Sequence, residues 1–140
     1  MQCKVSIVDD SENLEDFLNE NGITRLLPHA QNYPQKINLV RKKMPTIYHL
    51  GELFDYSNGV SVVGTRSCSK FGEEFAFNLG KLLVDNNYKI VSGLAEGIDT
   101  FAHKGCVEND GLGIVILAWF HKLYPPHNKP LLDNILENGC

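Results

Sequence analysis

Val60-Ser61-Val62-Val63-Gly64-Thr65-Arg66-Ser67-Cys68-Ser69-Lys70-Phe71-Gly72 and Lys89-Ile90-Val91-Ser92-Gly93-Leu94-Ala95-Glu96-Gly97-Ile98-Asp99 are two versions of one local design. In each, a short apolar β-type run ends at a glycine, a loop follows, and a helical pattern begins. A strand that delivers its end to a glycine turn and then to a helix N-terminus makes an anion site, because free backbone N–H groups and the helix dipole point at the same spot. Two such loops in tandem predict a crevice at one edge of a parallel sheet, suited to a phosphate-bearing ligand.

The pattern continues outward from this pair. Phe71, Phe75, Leu79, Leu82 and Leu83 recur at helical spacing and predict an amphipathic helix from about Phe71 to Asn86, which Asn86-Asn87 breaks. Tyr88–Val91 is the next strand, and Ile98, Phe101, Ala102 and Cys106 mark one face of the next helix. Asp110-Gly111 is a turn signal, and the apolar run Leu112–Ala118 predicts a strand buried on both faces. After Tyr124-Pro125-Pro126, residues Asn128–Glu137 form a helical pattern with Leu131, Leu132, Ile135 and Leu136 as its stripe. Strand and helix alternating in this way predict an α/β fold: a Rossmann-like three-layer α/β/α sandwich with a mostly parallel sheet.

The first 58 residues are less regular. Cys3–Val8 reads as a strand, Ser11 as the N-cap of a helix ended by Asn21-Gly22, and Ile23–Leu27 as another short strand. Three prolines between Pro28 and Pro45 suggest an extended connector. The division expected is an N-terminal extension over residues 1–50 packing on a Rossmann-like core over residues 51–140. Val5-Ser6-Ile7-Val8-Asp9-Asp10 imitates the acidic strand end of a response-regulator receiver. Asp55, at a suitable distance, lacks the receiver's local context, so Asp9 and Asp10 read as helix N-terminal charges.

At 140 residues, 43% hydrophobic and 21% charged, the composition is that of a globular domain. A net charge of −4 supplies no global attraction for nucleic acid, although Arg41, Lys42 and Lys43 form one basic run and Arg66 and Lys70 another. Cys3, Cys68, Cys106 and Cys140 contain no C-x-x-C pair, which argues against a zinc site and a disulfide framework. Cys68 reads as a small loop residue, with a reactive thiol as the alternative. The N-terminus lacks the pattern of a signal peptide and no apolar run is long enough to cross a bilayer, so the expectation is a cytoplasmic protein with no membrane partner.

An ordered set of motifs resembles the DprA/Smf family of DNA-processing proteins. It runs from Tyr33-Pro34 through Pro45-Thr46-Ile47-Tyr48-His49-Leu50-Gly51, Val63-Gly64-Thr65-Arg66, Ser69-Lys70-Phe71-Gly72, Ile90–Asp99 and Ala102-His103 to Tyr124-Pro125-Pro126 and Asn128-Lys129. The resemblance implies a Rossmann-like domain that binds single-stranded DNA without reading its sequence. It also implies a part in loading a RecA-type recombinase onto DNA during DNA-mediated transformation and DNA recombination. No catalytic step is implied, and no nucleophile–base set points to one, so the reading is of a non-enzyme with no catalytic residue, metal or cofactor.

The local chemistry suits that ligand. Arg66 offers a planar fork of donors to phosphate oxygens, Thr65, Ser67 and Ser69 add hydroxyls, Gly64 permits close backbone approach, and Lys70 brings a point charge to a helix start. In the second loop Ser92, Gly93 and Gly97 would supply backbone amides, Ser92 also a hydroxyl. The alternative for Arg66 is an ion pair with a carboxylate such as Asp99, which itself reads as a helix cap or dipole partner. His103, one turn on, could pair with Asp99 as a satisfied structural histidine. His29, His49, His121 and His127 show no ligand spacing.

Two departures from the family stand out. Ala118-Trp119-Phe120-His121 occupies a place where the family carries small residues, and reads either as a hydrophobic plug or as a base-stacking platform. The chain stops at Cys140, before the basic segment that the family places further on. The visible strands would leave an exposed sheet edge, so either a homodimer or cover by the N-terminal 50 residues is expected. The competing function is a Rossmann-like small-nucleotide binding or sensing domain.

Overall fold

A computed structural model describes residues 11–34, 39, 44–51, 57–117 and 123–138. It divides into two compact units, Lys4–Leu53 and a larger one that holds the chain from Phe54 onward. The expected strand at Cys3–Val8, Asp9, Asp10, Asp55, the basic run Arg41–Lys43 and the segment Ala118–His121 lie outside the described residues.

In the first unit, helix α1 (Ser11–Glu20) starts at Ser11 itself. It ends where the Asn21 side chain and amide both donate to the Phe17 carbonyl, and Gly22, at φ +65°, turns the chain back. Strand β1 (Thr24–Leu26) pairs antiparallel with β2 (Ile47–His49), which the sequence pattern did not reveal. The expected extended connector instead begins with two turns, closed by Ala30 N–H to the Leu27 carbonyl and Tyr33 N–H to the Ala30 carbonyl. Tyr33, 2% exposed, donates its hydroxyl to the Pro45 carbonyl at 2.7 Å, so one buried side chain ties the two ends of the proline-rich stretch.

The second unit carries the alternating pattern. Strands β3 (Gly59–Ser61), β4 (Lys89–Ser92) and β5 (Gly113–Val115) form a parallel sheet in the order β3-β4-β5. Val60, Ile90 and Gly113 stand in register across it. Helix α2 (Lys70–Asp85) connects the first two strands and α3 (Ile98–Val107) the next two. Right-handed crossovers stepping the same way across a sheet put both helices on one face. There Val62, Ile90, Ala102 and Cys106 form the buried core, with Val60, Leu79, Leu83, Val84 and Ile98 packed around them. Burial pushes the Cys106 thiol up to about 11, so it serves as a small apolar core group. A 3₁₀ turn (Pro126–Asn128) leads into α4 (Lys129–Asn138), whose Ile135 is 1% exposed. No helix of the described residues is long and apolar enough to cross a membrane.

Two expectations about this core are corrected. Only part of the expected apolar stripe of α2 faces inward: Leu79 and Leu83 pack against the core, but Phe71, Phe75 and Leu82 are 75%, 57% and 58% exposed, while Ala76 and Gly80 are buried. Small residues face inward because α2 and α3 cross at backbone distance. A Cβ on Gly80 would fall 2.3 Å from the Ala102 carbonyl oxygen, and one on Gly105 would fall 2.0 Å from that of Phe77. Likewise Leu112–Ala118 is not buried on both faces throughout, since Ile114 is 2% exposed but Ile116 is 62% exposed.

Gly105→Ala therefore sets a methyl group against backbone that can yield only by separating the helices. It is expected to cost about 1–3 kcal/mol, read as a lower urea midpoint with an unchanged denaturant slope.

Candidate functional site

The β3 chain continues through Val62, whose N–H donates to the Val91 carbonyl, and then leaves the sheet at Gly64. Gly64, Thr65, Arg66, Ser67, Ser69 and Lys70 are all exposed. Within this loop the Thr65 hydroxyl accepts from Ser67 N–H at 3.2 Å and lies 3.3 Å from the Ser67 carbonyl. Ser69 is the N-cap of α2 and accepts from Gly72 N–H at 3.2 Å. Lys70 is tied only loosely, by an exposed pair with Glu73 at 3.3 Å. Arg66 has no ion pair among the described residues. The pairing of Arg66 with Asp99 considered from sequence does not form.

The second loop is built differently. Its Ser92 is buried, and its hydroxyl donates to the Val62 carbonyl at 2.6 Å. Asp99, 6% exposed, lies in the first turn of α3 but does not cap that helix, whose N-cap is Gly97. Instead its carboxylate accepts the Gly64 N–H on one oxygen at 3.3 Å and the Gly93 N–H on the other at 3.2 Å. One carboxylate thus joins the first glycine of both loops. Ile98 N–H donates to the Thr65 carbonyl, and a Cβ on Gly97 (φ +77°) would fall 2.2 Å from the Thr65 carbonyl oxygen. The first loop therefore rests on the N-terminus of α3 and uses its donors.

The picture of two equivalent open anion loops is revised accordingly. The amides of Gly64 and Gly93 and the hydroxyl of Ser92 are committed inside the protein, and Gly97 is a contact point between the loops. What remains outward is one face: the loop Thr65–Ser67, with Arg66 at its centre, beside the capped N-terminus of α2 with Lys70.

The second loop is in turn held from below. Leu94, fully buried, adopts φ +54°, a conformation that costs a residue with a Cβ about 1–2 kcal/mol. Its carbonyl accepts from the buried Asn128 side-chain amide at 3.0 Å. That amide also donates to the Thr100 hydroxyl at 2.7 Å, which donates to the Ala95 carbonyl at 2.6 Å. Asn128 was visible in sequence only as one member of a motif. Its position beside prolines hinted at a turn, and its partner, the carbonyl of a residue 34 positions away, had no local signal.

His103 lies fully buried on α3, with its Nδ1 3.1 Å from where a Cβ on Gly113 would stand. Neither ring nitrogen has a hydrogen-bond partner among the described residues, and the Asp99 pairing considered from sequence is absent. Desolvation lowers its pKa to about 4; the Ser92 backbone and the Asp99 charge pull it upward by less, and neither reaches the ring in hydrogen-bonding geometry. His103 is therefore a neutral packing residue.

A loop with exposed Arg66, carried at a parallel-strand end beside the capped N-terminus of α2, places the chain among Rossmann-like proteins. The chain belongs to the family described as DNA recombination-mediator protein A, whose model matches residues 24–140. It is 33% identical over 120 residues to protein Smf of Synechocystis, an alignment covering 81% of this chain and 30% of that protein. It is 29% identical over 122 residues to DNA processing protein DprA of Bacillus subtilis, covering 85% of this chain and 41% of that one. The chain thus spans well under half the length of these relatives. The structure of DNA processing protein A from Streptococcus pneumoniae superposes with a TM-score of 0.74 at 28% identity, over 89% of this chain and 44% of that one. The Helicobacter pylori counterpart shares the fold, with a TM-score of 0.66 at 23% identity over 83% of this chain and 52% of that one.

Asp99→Asn replaces one acceptor with an N–H₂ group facing an N–H donor. We expect a loss of about 1–3 kcal/mol and faster amide exchange at Gly64 and Gly93, seen by hydrogen–deuterium exchange, with α2 and α3 still protected. For His103 the unfolded chain takes up its proton near pH 6.5 and the folded one only near 4. The stability this neutral histidine allows is therefore fully present above pH 6.5. It falls by about 3 kcal/mol as pH drops towards 4, then levels off. His103→Leu should remove that part of the slope in denaturant titrations run across this pH range.

Proposed function

We propose that this chain binds single-stranded DNA through the outward face of its first loop, with Arg66 as the principal phosphate contact and Thr65, Ser67, Ser69 and Lys70 around it. The observation that carries this reading is the division of labour between the loops. The second loop and α3 consume their own donors in holding the first, and the first presents an arginine with no carboxylate of the described residues paired to it. Such an arginine, fixed by its backbone and exposed at its tip, suits a charge-assisted contact to a phosphodiester. The loop carries no set of side chains that would read bases, so backbone contacts and low sequence preference follow.

The family supports the same ligand. The Helicobacter pylori relative of this fold is a DNA processing protein A with a single-stranded DNA binding mode. By extension from the DprA/Smf relatives, the biological role proposed is DNA processing during transformation, in the cytoplasm. A RecA-type recombinase is the partner to which the bound strand is passed. The proposed role is binding and delivery rather than catalysis. The framework residues Gly64, Ser92, Gly93 and Gly97 act in it by positioning the loop.

Fluorescence anisotropy of a labelled single-stranded oligonucleotide, titrated at two salt concentrations with unlabelled duplex as competitor, tests the reading. Affinity should fall with salt and resist the duplex, and Arg66→Ala should weaken it by about 1–3 kcal/mol while lowering the salt slope by about 0.7. Binding that ignores both salt and Arg66, or a folded chain that binds only mononucleotides, overturns it.

A further inference from the structure

Asn21-Gly22, Asn58-Gly59, Asp110-Gly111 and Asn138-Gly139 share one chemical weakness. Glycine has no Cβ to shield its nitrogen from the Cγ of the residue before it, and asparagine is a labile side chain. In a folded chain the outcome depends on what holds that nitrogen and that side chain. Gly22 N–H donates to the Asn19 carbonyl at 3.2 Å, and the Asn21 side-chain amide to the Phe17 carbonyl at 2.8 Å. Gly111 N–H donates to the Cys106 carbonyl at 2.9 Å, and Gly139 lies outside the described residues.

Asn58-Gly59 is held differently. Gly59 stands in register with Lys89, and Lys89 N–H donates to the Asn58 carbonyl at 3.0 Å. In a parallel ladder of that phase the rungs at Gly59 are made by Lys89, and Gly59's own N–H points away from β4. Strand β3 is at the edge of its sheet, so this N–H faces the open side. Asn58 and Gly59 are both exposed, and the Asn58 side chain makes no hydrogen bond among the described residues. We propose that Asn58 is a site of spontaneous covalent modification, converted through a cyclic imide to aspartate and isoaspartate, with water as the co-reactant.

The Gly59 nitrogen gives its proton to solvent and attacks Cγ of Asn58. The bond from Cγ to Nδ2 breaks, and the amide nitrogen takes up a proton and leaves as ammonia. Water then opens the imide at either carbonyl. Opening on the Cγ side gives aspartate; opening on the Cα side gives isoaspartate, whose main chain runs through Cγ. Both products add a negative charge just before β3. Isoaspartate also puts an extra methylene into the main chain beside the carbonyl that Lys89 N–H uses, and so removes the first rung between β3 and β4. Asn58 lies at the far end of β3 from Gly64, and the proposal stands or falls separately from DNA binding at Arg66.

Peptide mapping by mass spectrometry tests it, on the full chain aged at neutral pH both folded and unfolded in guanidinium chloride. The peptide carrying Asn58 should gain about one mass unit and separate into two chromatographic forms. In the folded sample Asn58 should react at least about tenfold faster than Asn21. In denaturant the two rates should come within about threefold, because the bonds that protect Asn21 are gone. Asn58→Gln, whose longer side chain closes the ring poorly, should abolish the mass gain and leave the circular dichroism spectrum unchanged. Hydrogen–deuterium exchange at Lys89 should quicken in the aged wild type and stay slow in Asn58→Gln. An Asn58 that survives in the folded chain while reacting in denaturant overturns the proposal, as does an Asn21 that keeps pace with it. Modification that leaves exchange at Lys89 unchanged overturns the inferred loss of the rung.

Discussion

The carboxylate of Asp99 holds the functional end of the larger unit together. Parallel strands that end side by side leave their last N–H groups with no strand to bond, and the loops that follow are free to part. By accepting Gly64 N–H on one oxygen and Gly93 N–H on the other, Asp99 satisfies both orphans at once and sets the spacing of the two loops. Asp99 itself lies in the first turn of α3, beside the N-terminal end of that helix. The glycines around it follow from the same constraint: a side chain at Gly64 would strike Ile98, and one at Gly97 would strike the Thr65 carbonyl.

Support for this junction comes in layers. Asn128 and Thr100 fix the second loop, which holds Leu94 in a left-handed conformation. The second loop and α3 fix the first. Only the outermost layer, with Arg66 at its tip, faces solvent. A residue placed at the end of such a chain of buried hydrogen bonds is positioned without an ion pair to any carboxylate of the described residues. The close α2·α3 crossing works in the same direction, because Gly80 and Gly105 let the helix that begins at Lys70 lie flat on the one that begins at Ile98.

Much of this was legible from residues alone, and the failures share one cause. The alternation of strand and helix from Val60 onward, the glycine turns and the helix boundaries are local properties: the observed α2 and β4 differ from the expected limits by one residue, and α3 contains the expected Ile98, Phe101, Ala102 and Cys106. The burial of α2 was misjudged because hydrophobic periodicity assumes that large apolar residues face the core. Where α3 crosses, the helices come so close that the inner positions are Ala76 and Gly80, with Leu79 and Leu83 packed beside them, and Phe71 and Phe75 turn outward. The short strand expected at Ile23–Leu27 is β1, but its antiparallel partner β2 went unseen because a strand of three residues carries too little pattern.

The sequence by itself determined the α/β class, the order of the elements, the family and the presence of Arg66 in a strand-end loop, because each of these is written in residue types at short range. Tertiary structure alone decided which loop faces outward and which is its foundation. The two loops follow one pattern in sequence, and what separates them is how much of each is committed: in the second, Gly93 N–H goes to Asp99, the Ser92 hydroxyl to the Val62 carbonyl and Ile98 N–H to the neighbouring loop, whereas in the first Gly64 N–H goes to Asp99 and Thr65–Ser67 stay exposed. Those partners lie 6 to 35 residues apart along the chain, a distance over which only the packed fold brings donors and acceptors into register.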